Sequence, residues 1–287
     1  MKKLLGLGLL LLLVAALPAF AHPGVGIVMD SRGNVYYTDL KQVWKIAPDG
    51  AKTIAVPNVH THEFYVDAED NLYGEHLWYE GEATDKWGHY VWRLSADGKL
   101  EKIIPPRVGF RDDYRDFSFV RDRAGNMYWT EREARPVVIR KRAPDGTTVD
   151  LGADAGLTGA GWLTATPDGT VYFIDGVDLV RITPDGKATR VARGLKERHL
   201  LGNRHFLMGV WTDTRGNVYV AATGARQVKR VSPGGRVEVV AESRLPWSPT
   251  GGMVAPNGDL WLLEYGGGFN HRHRARRLRP DGREQAY

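Results

Sequence analysis

The chain has 287 residues, 39 Lys and Arg against 34 Asp and Glu for a formal charge of +5, and no cysteine. Such a small excess of positive charge gives no case for nucleic acid as a partner. The missing thiols exclude disulfides, cysteine nucleophiles and thiolate metal sites.

Residues 1–21 open with Lys2 and Lys3, continue as an apolar run over 4–17, and end on Pro18 and Ala19-Phe20-Ala21 before His22. A basic start, a short apolar core and a small-x-small end describe a cleavable secretory signal. The run is too short for a comfortable permanent span, so no stable transmembrane anchor is expected after cleavage. The reading is a mature chain beginning at His22, periplasmic or secreted, with 22–287 forming one domain. Loss of Lys2 and Lys3 lowers its formal charge to +3.

From Asp30 onward one phrase recurs six times: an apolar strand, a Gly/Asn/Asp turn, a strand with an aromatic or branched residue, a third strand and a second turn. The first turns are Asp30-Ser-Arg-Gly-Asn34, Asp67-Ala-Glu-Asp-Asn71, Asp122-Arg-Ala-Gly-Asn126, Thr166-Pro-Asp-Gly-Thr170, Asp213-Thr-Arg-Gly-Asn217 and Ala255-Pro-Asn-Gly-Asp259. The second turns close at Gly50, Gly98, Gly146, Gly186, Gly235 and Gly282, at intervals of about 46 residues, the length of one four-stranded propeller blade. Val35-Tyr36-Tyr37, Met127-Tyr128-Trp129, Val171-Tyr172-Phe173, Val218-Tyr219-Val220 and Leu260-Trp261-Leu262 follow their turns at one offset and alternate as half-buried strands do. The pattern predicts an all-β, six-bladed β-propeller of four-stranded antiparallel blades. An ordinary sandwich would not repeat a two-turn phrase six times.

Residues 105–117 and 193–208 read as connections between blades, and 77–89 as a long blade-two loop whose Trp78, Tyr79 and Trp87 could wall a ligand. Residues 283–287 read as a short outer strand of the sixth blade. Ring closure is then expected from ordinary blade contacts without a strand exchanged from the N-terminus.

Because successive strands reverse, the start of each inner strand and the end of each second strand meet at one rim. Inner-strand starts bring His60, His62, Glu63, Asp116, Ser118, Trp162 and His205 there; second-strand ends bring Asp39, His76, Glu131, Asp175 and Glu264, with Glu75 beside His76. Val59-His-Thr-His-Glu63 is the densest group. Its two imidazoles could hold a divalent cation with a third ligand from Glu75, His76 or Glu264, and with Glu63 if a bulge or turn brings it to the same side, or the histidines could simply bond backbone carbonyls near the channel. His62, Glu131 and Glu264 are the catalytic candidates, His62 as base or ligand and the two acids as cation or substrate holders. His60, Glu63, His76, Trp78, Trp87, Trp162, Asp175 and His205 are the ligand-binding candidates. Asp39 and Asp175 also fit a purely local role, bonding the backbone of the loop that follows. Rim side chains contribute little packing, so His62→Ala or Glu264→Gln is expected to leave the melting temperature nearly unchanged. No Gly-x-Ser-x-Gly elbow occurs, and the basic run in 271–277 reads as a solvated outer face or a contact for anionic lipid or polysaccharide.

The phrase Asp-x-x-Gly-Asn-Val-Tyr, with a third strand ending in Pro-Asp-Gly, resembles the NHL repeat and the wider superfamily of gluconolactonases, strictosidine synthases and virginiamycin B lyase. The resemblance implies the propeller fold over nearly the whole mature chain. Gluconolactonase-like members place metal-binding Glu, Asn and Asp at inner-strand starts; the counterparts here are Val25, His62, Phe117, Gly161, Met208 and Thr250, of which His62 alone is a credible ligand. Lyase-like members place Glu at second-strand ends and a His near an inner-strand start, features matched by Glu131, Glu264 and His62. Two functions follow: a funnel that binds a small polar molecule and performs hydrolysis or elimination, with or without a divalent cation, and a noncatalytic envelope scaffold whose partner is a protein.

Overall fold

A computed structural model describes residues 24–80, 86–109, 116–196, 206–267 and 272–287. Six antiparallel sheets follow one another along the chain, each built from consecutive strands, and form a six-bladed β-propeller. The blades span Ile27–Met29 to Lys52–Val56, Phe64–Val66 to Leu100–Val108, Met127–Glu131 to Thr148–Leu151, Ala160–Ala165 to Ala188–Ala192, Val210–Thr212 to Val237–Glu242, and Trp247–Val254 to Glu284–Ala286. The leader, His205 and part of the 193–208 connection lie outside the described residues.

The repeated phrase is a hydrogen-bonded lock. The Asp30 carboxylate accepts from the Asn34 backbone N–H at 2.8 Å, the Asn34 side-chain amide at 2.7 Å and the Tyr36 hydroxyl at 3.2 Å, while Gly33 takes the left-handed φ of 82° that closes the turn. The same three bonds recur at Asp67, Asp122 and Asp213 with their Asn and Tyr partners. Burial and the Asp30 charge push the Tyr36 hydroxyl up to about 12, so it stays a donor at any physiological pH. These aspartates are therefore spent on the fold.

Among the described residues, closure joins the first blade to the last through side-chain packing and hydrogen bonds between blades built from consecutive strands. Ile27, Val35 and Tyr37 pack with Trp261, Leu263 and Ala275, and Tyr287 stacks on Trp261. The Thr250 hydroxyl donates to the Gly24 carbonyl at 2.8 Å, and the Val25 and Gly26 N–H groups donate to the His62 carbonyl at 2.9 and 2.8 Å. Three consecutive residues thus tie the sixth, first and second blades together.

Two expectations need correction. Both described ends of the 77–89 stretch are strand: Leu72–Tyr79 pairs with Trp87–Leu94, eight residues each, with Tyr79 stacked on Trp87 across the ladder at 4.0 Å and Trp78 covering Gly88, while 81–85 lie outside the described residues. The next strand runs through Pro105 and Pro106 to Val108, where prolines are tolerated because it is the blade's outer edge. In the third blade the described residues form three regular strands. Its inner position is held by the segment around Ser118 and Val120, through the Tyr128 N–H to Val120 bond at 3.0 Å, the Ser118 hydroxyl to Tyr128 carbonyl bond at 2.6 Å and the single bridge Arg121 to Met127.

The inner segments of all six blades enclose a central channel of about 620 Å³. At the end where inner strands begin, its wall contains Gly26, Glu63, Trp162, Gly209 and Gly251; at the other end it contains Met29, Arg121, Ala165 and Thr212.

Candidate functional site

A cluster of polar side chains lies at the junction of the first and second blades, next to Glu63 of the channel wall. His60 and His62 lie on one side of an extended segment, their rings edge to face with centroids 4.7 Å apart. His62 is 8% exposed, and its Nδ1 stands 3.5 Å from Oε1 of Glu75, itself 5% exposed. Glu75 is held by its neighbours: its N–H donates to the Thr61 hydroxyl at 3.2 Å and its carbonyl accepts from the Trp92 indole at 2.9 Å. Glu63, the next residue along from His62, lies in the channel wall.

His76 serves this group from behind. Its Nδ1 accepts the His60 backbone N–H at 3.0 Å, which places the ring proton of the neutral form on Nε2, and the ring stacks on Tyr90 at 4.8 Å and Trp78 at 6.2 Å. Burial, with the Lys102 ammonium nearby, lowers its basicity. Burial, reinforced by His62 and His76 and opposed by Glu75 and a bond to the Leu40 backbone, takes His60 down to about 4. His60 is therefore an uncharged imidazole at neutral pH.

Glu131 and Glu264 are held elsewhere. Glu131 pairs with Arg140 at 2.8 Å, and Arg140 also grips Asp150. Glu264 is fully buried between Arg274 at 2.6 Å and Arg276 at 2.9 Å, and accepts the Ser243 hydroxyl at 2.5 Å. Asp175 accepts the Thr158 and Gly159 N–H groups, each at 2.9 Å, and pairs with Arg190 at 3.0 Å. Burial pushes Asp175 up, but these donors outweigh it and hold the carboxyl below its usual range. Asp39 bonds the Lys41 and Gln42 N–H groups, the local role open to it. Trp162 lies in the channel wall with φ of 55°, set there by a bulge between Gly161 and Thr164 that re-aims it. Trp78 stacks on His76 of its own strand, and Trp87 stacks on Tyr79 across the hairpin.

An oxygen-rich, lactonase-type cation site does not fit these residues. Val25 is apolar, Phe117 and Met208 are buried in core clusters, and the Thr250 hydroxyl is engaged with Gly24. Among the described residues no group of three His, Cys, Asp or Glu side chains is arranged to hold a metal ion. The junction's less obvious participants are Glu75 as carboxylate partner and Leu40 and Tyr90 as supports; only the adjacency of Glu75 to His76 in the sequence pointed to any of them.

Comparison with solved structures places the architecture. A virginiamycin B lyase from Staphylococcus aureus superposes with a TM-score of 0.53 at 15% identity, covering 92% of this chain and 84% of the lyase. A gluconolactonase from Xanthomonas campestris gives 0.56 at 16% identity, over 85% of this chain and 82% of that one. The chain shares their propeller fold. A luciferin-regenerating enzyme gives 0.57 at 14% identity, covering 88% and 91% of the two chains. At these identities the likeness concerns fold alone. No family model matches the chain, and no curated protein matches it.

Proposed function

We propose that the protein is an exported propeller enzyme that binds a small polar molecule at the channel mouth between the first and second blades and acts on it by hydrolysis or elimination. The observation that carries this reading is the buried His62–Glu75 pair beside Glu63 of the channel wall. A neutral imidazole can take a proton from water or from a carbon acid, and the buried carboxylate stabilises the imidazolium that forms. Glu63 and Trp162, both in the wall at this end, would bind polar and apolar parts of the ligand. The lyase and lactonase activities named for the structural neighbours support this class of chemistry.

The test is turnover of a panel of lactones, esters and β-elimination substrates by wild type and His62→Gln. Loss of one general base is expected to lower kcat/KM by about 100-fold to 10,000-fold. Equal turnover by the variant would contradict the assignment; ligand binding without turnover by either protein would favour an envelope recognition scaffold.

Export carries its own expected result. Intact mass of protein recovered from the periplasm should correspond to residues 22–287, and a species still beginning at Met1 would contradict cleavage.

A further inference from the structure

The second and sixth blades stand taller at the beginning-of-strand end than the other four. Counted from the repeated turn, Thr38, where the first blade's second strand ends, corresponds to Glu75 in the second blade and Leu263 in the sixth. From there the second strand runs on for four residues to Tyr79 in one and three residues to Gly266 in the other, about 10–13 Å of extended chain. In the third, fourth and fifth blades it stops at Glu131, Asp175 and Ala222, one residue past the same point. Both tall blades neighbour the short first one, whose core packs with Leu72 and Trp92 on one side and with Leu263 and Ala275 on the other. Sheets pack about 10 Å apart, so a short sheet between two tall ones leaves a gap of about 20 Å between backbones and about 10 Å between side chains. The result is a trough above the first blade.

Alternation fixes what lines it. His76 and Trp78 share the face of Leu72, and Tyr90, opposite His76, lies on it too. The three half-buried rings stand 4.8 to 6.4 Å apart, with the Lys102 ammonium 4.6 Å from the Tyr90 centroid. On the far wall Tyr265 shares the face of Leu263. The floor is the link from Thr38 to Gln42, with Lys41 exposed in it and Asn58 exposed beside it. The Asp39 carboxylate in that link is occupied by the Lys41 and Gln42 N–H groups and the Trp44 indole. At its inner end the trough reaches His60, bonded through its N–H to His76 in the wall and through its ring to the Leu40 backbone in the floor.

We infer that this trough holds a linear acidic saccharide and presents one of its linkages to the histidine pair, where the proposed hydrolysis or elimination acts. The faces of Tyr90 and Trp78 suit the C–H faces of pyranose rings, and Asn58 suits their hydroxyls. Lys41 and Lys102 offset carboxylates along the trough. Glu63 lies past the histidines in the channel wall, so negative charge is favoured in the trough and disfavoured beyond it. Cleavage rests on the proposed activity, whereas binding in the trough is measured without it.

Calorimetric titration of the purified protein with hexagalacturonate, galacturonate and the neutral cellohexaose decides it. Hexagalacturonate should bind at least about 10-fold more tightly than either of the others. Trp78→Ala should weaken it by about 10-fold. Lys41→Glu, an exposed change that leaves the packing of the wall intact, should weaken it by about 5-fold. His62→Gln should still bind and lose only the release of new reducing ends. No binding of hexagalacturonate, equal binding of the two hexamers, or full affinity in Lys41→Glu would overturn the trough. Binding that Lys41→Glu weakens, with no cleavage by the wild type, would leave the trough standing and count against the catalytic reading; turnover of small lactones without hexamer binding would do the reverse.

Discussion

Replacing Glu264 by alanine is expected to cost about 3–5 kcal/mol, because it leaves the buried guanidinium of Arg276 with only the half-exposed Glu284 carboxylate at 3.1 Å, and removes the carboxylate that pairs with Arg274 at 2.6 Å. The Glu264 side chain is 0% exposed and those of Arg276 and Arg274 are 8% and 24% exposed, so solvent cannot repair the loss. For a domain of this size the melting temperature should fall by roughly 6–20 °C. Glu264→Gln keeps a partner for the Ser243 hydroxyl yet removes the charge both arginines need, so it too should melt lower, in contrast to what a rim position suggests. Thermal melts of the two variants check this. A shift within 2 °C of wild type for the alanine variant would show that the network contributes almost nothing.

The second large effect is expected at the ring seam. A Cβ on Gly251 would stand 2.1 Å from the Val25 carbonyl oxygen, and that obstacle is backbone, which cannot rotate aside as a side chain would. Gly251→Val should therefore force the first and sixth blades apart and lose about 3 kcal/mol or more, the upper end of overpacking costs. Gly159→Ala is the control, since nothing lies within 4 Å of the added carbon and its backbone is not left-handed. Equilibrium urea unfolding should separate the two clearly. Equal midpoints would mean that the seam opens without cost.

The fold was legible because its determinants are local. Asp30, Gly33, Asn34 and Tyr36 make their bonds within seven residues, so identical spacing at Asp122 and Asp213 announces an identical turn. The blade-two hairpin was not legible, since its strand character comes from stacking between Tyr79 and Trp87, and aromatic residues in a polar stretch look the same in a loop. The rim acids failed as an inventory for a related reason. Strand direction places Glu131 and Glu264 near the rim, but says nothing about the arginines that face them from the adjacent strand. Arg274 sits directly opposite Glu264 in the ladder, and alternation in the 271–277 run, first read as a solvated face, turns Arg276 into the same network. Reading that run in cross-strand register would have exposed the pairing. The histidine junction was visible as a motif, whereas Glu75 became its partner only through antiparallel pairing within the second blade.

The most direct test of a working site at the beginning-of-strand mouth is a crystal structure of the 22–287 chain with a substrate or slow inhibitor drawn from the turnover panel. The expected result is ligand density against Glu63 and Trp162, with a polar atom within about 3.2 Å of a ring nitrogen of His60 or His62. Density at the opposite end of the channel, between Arg121 and Thr212, would contradict the account.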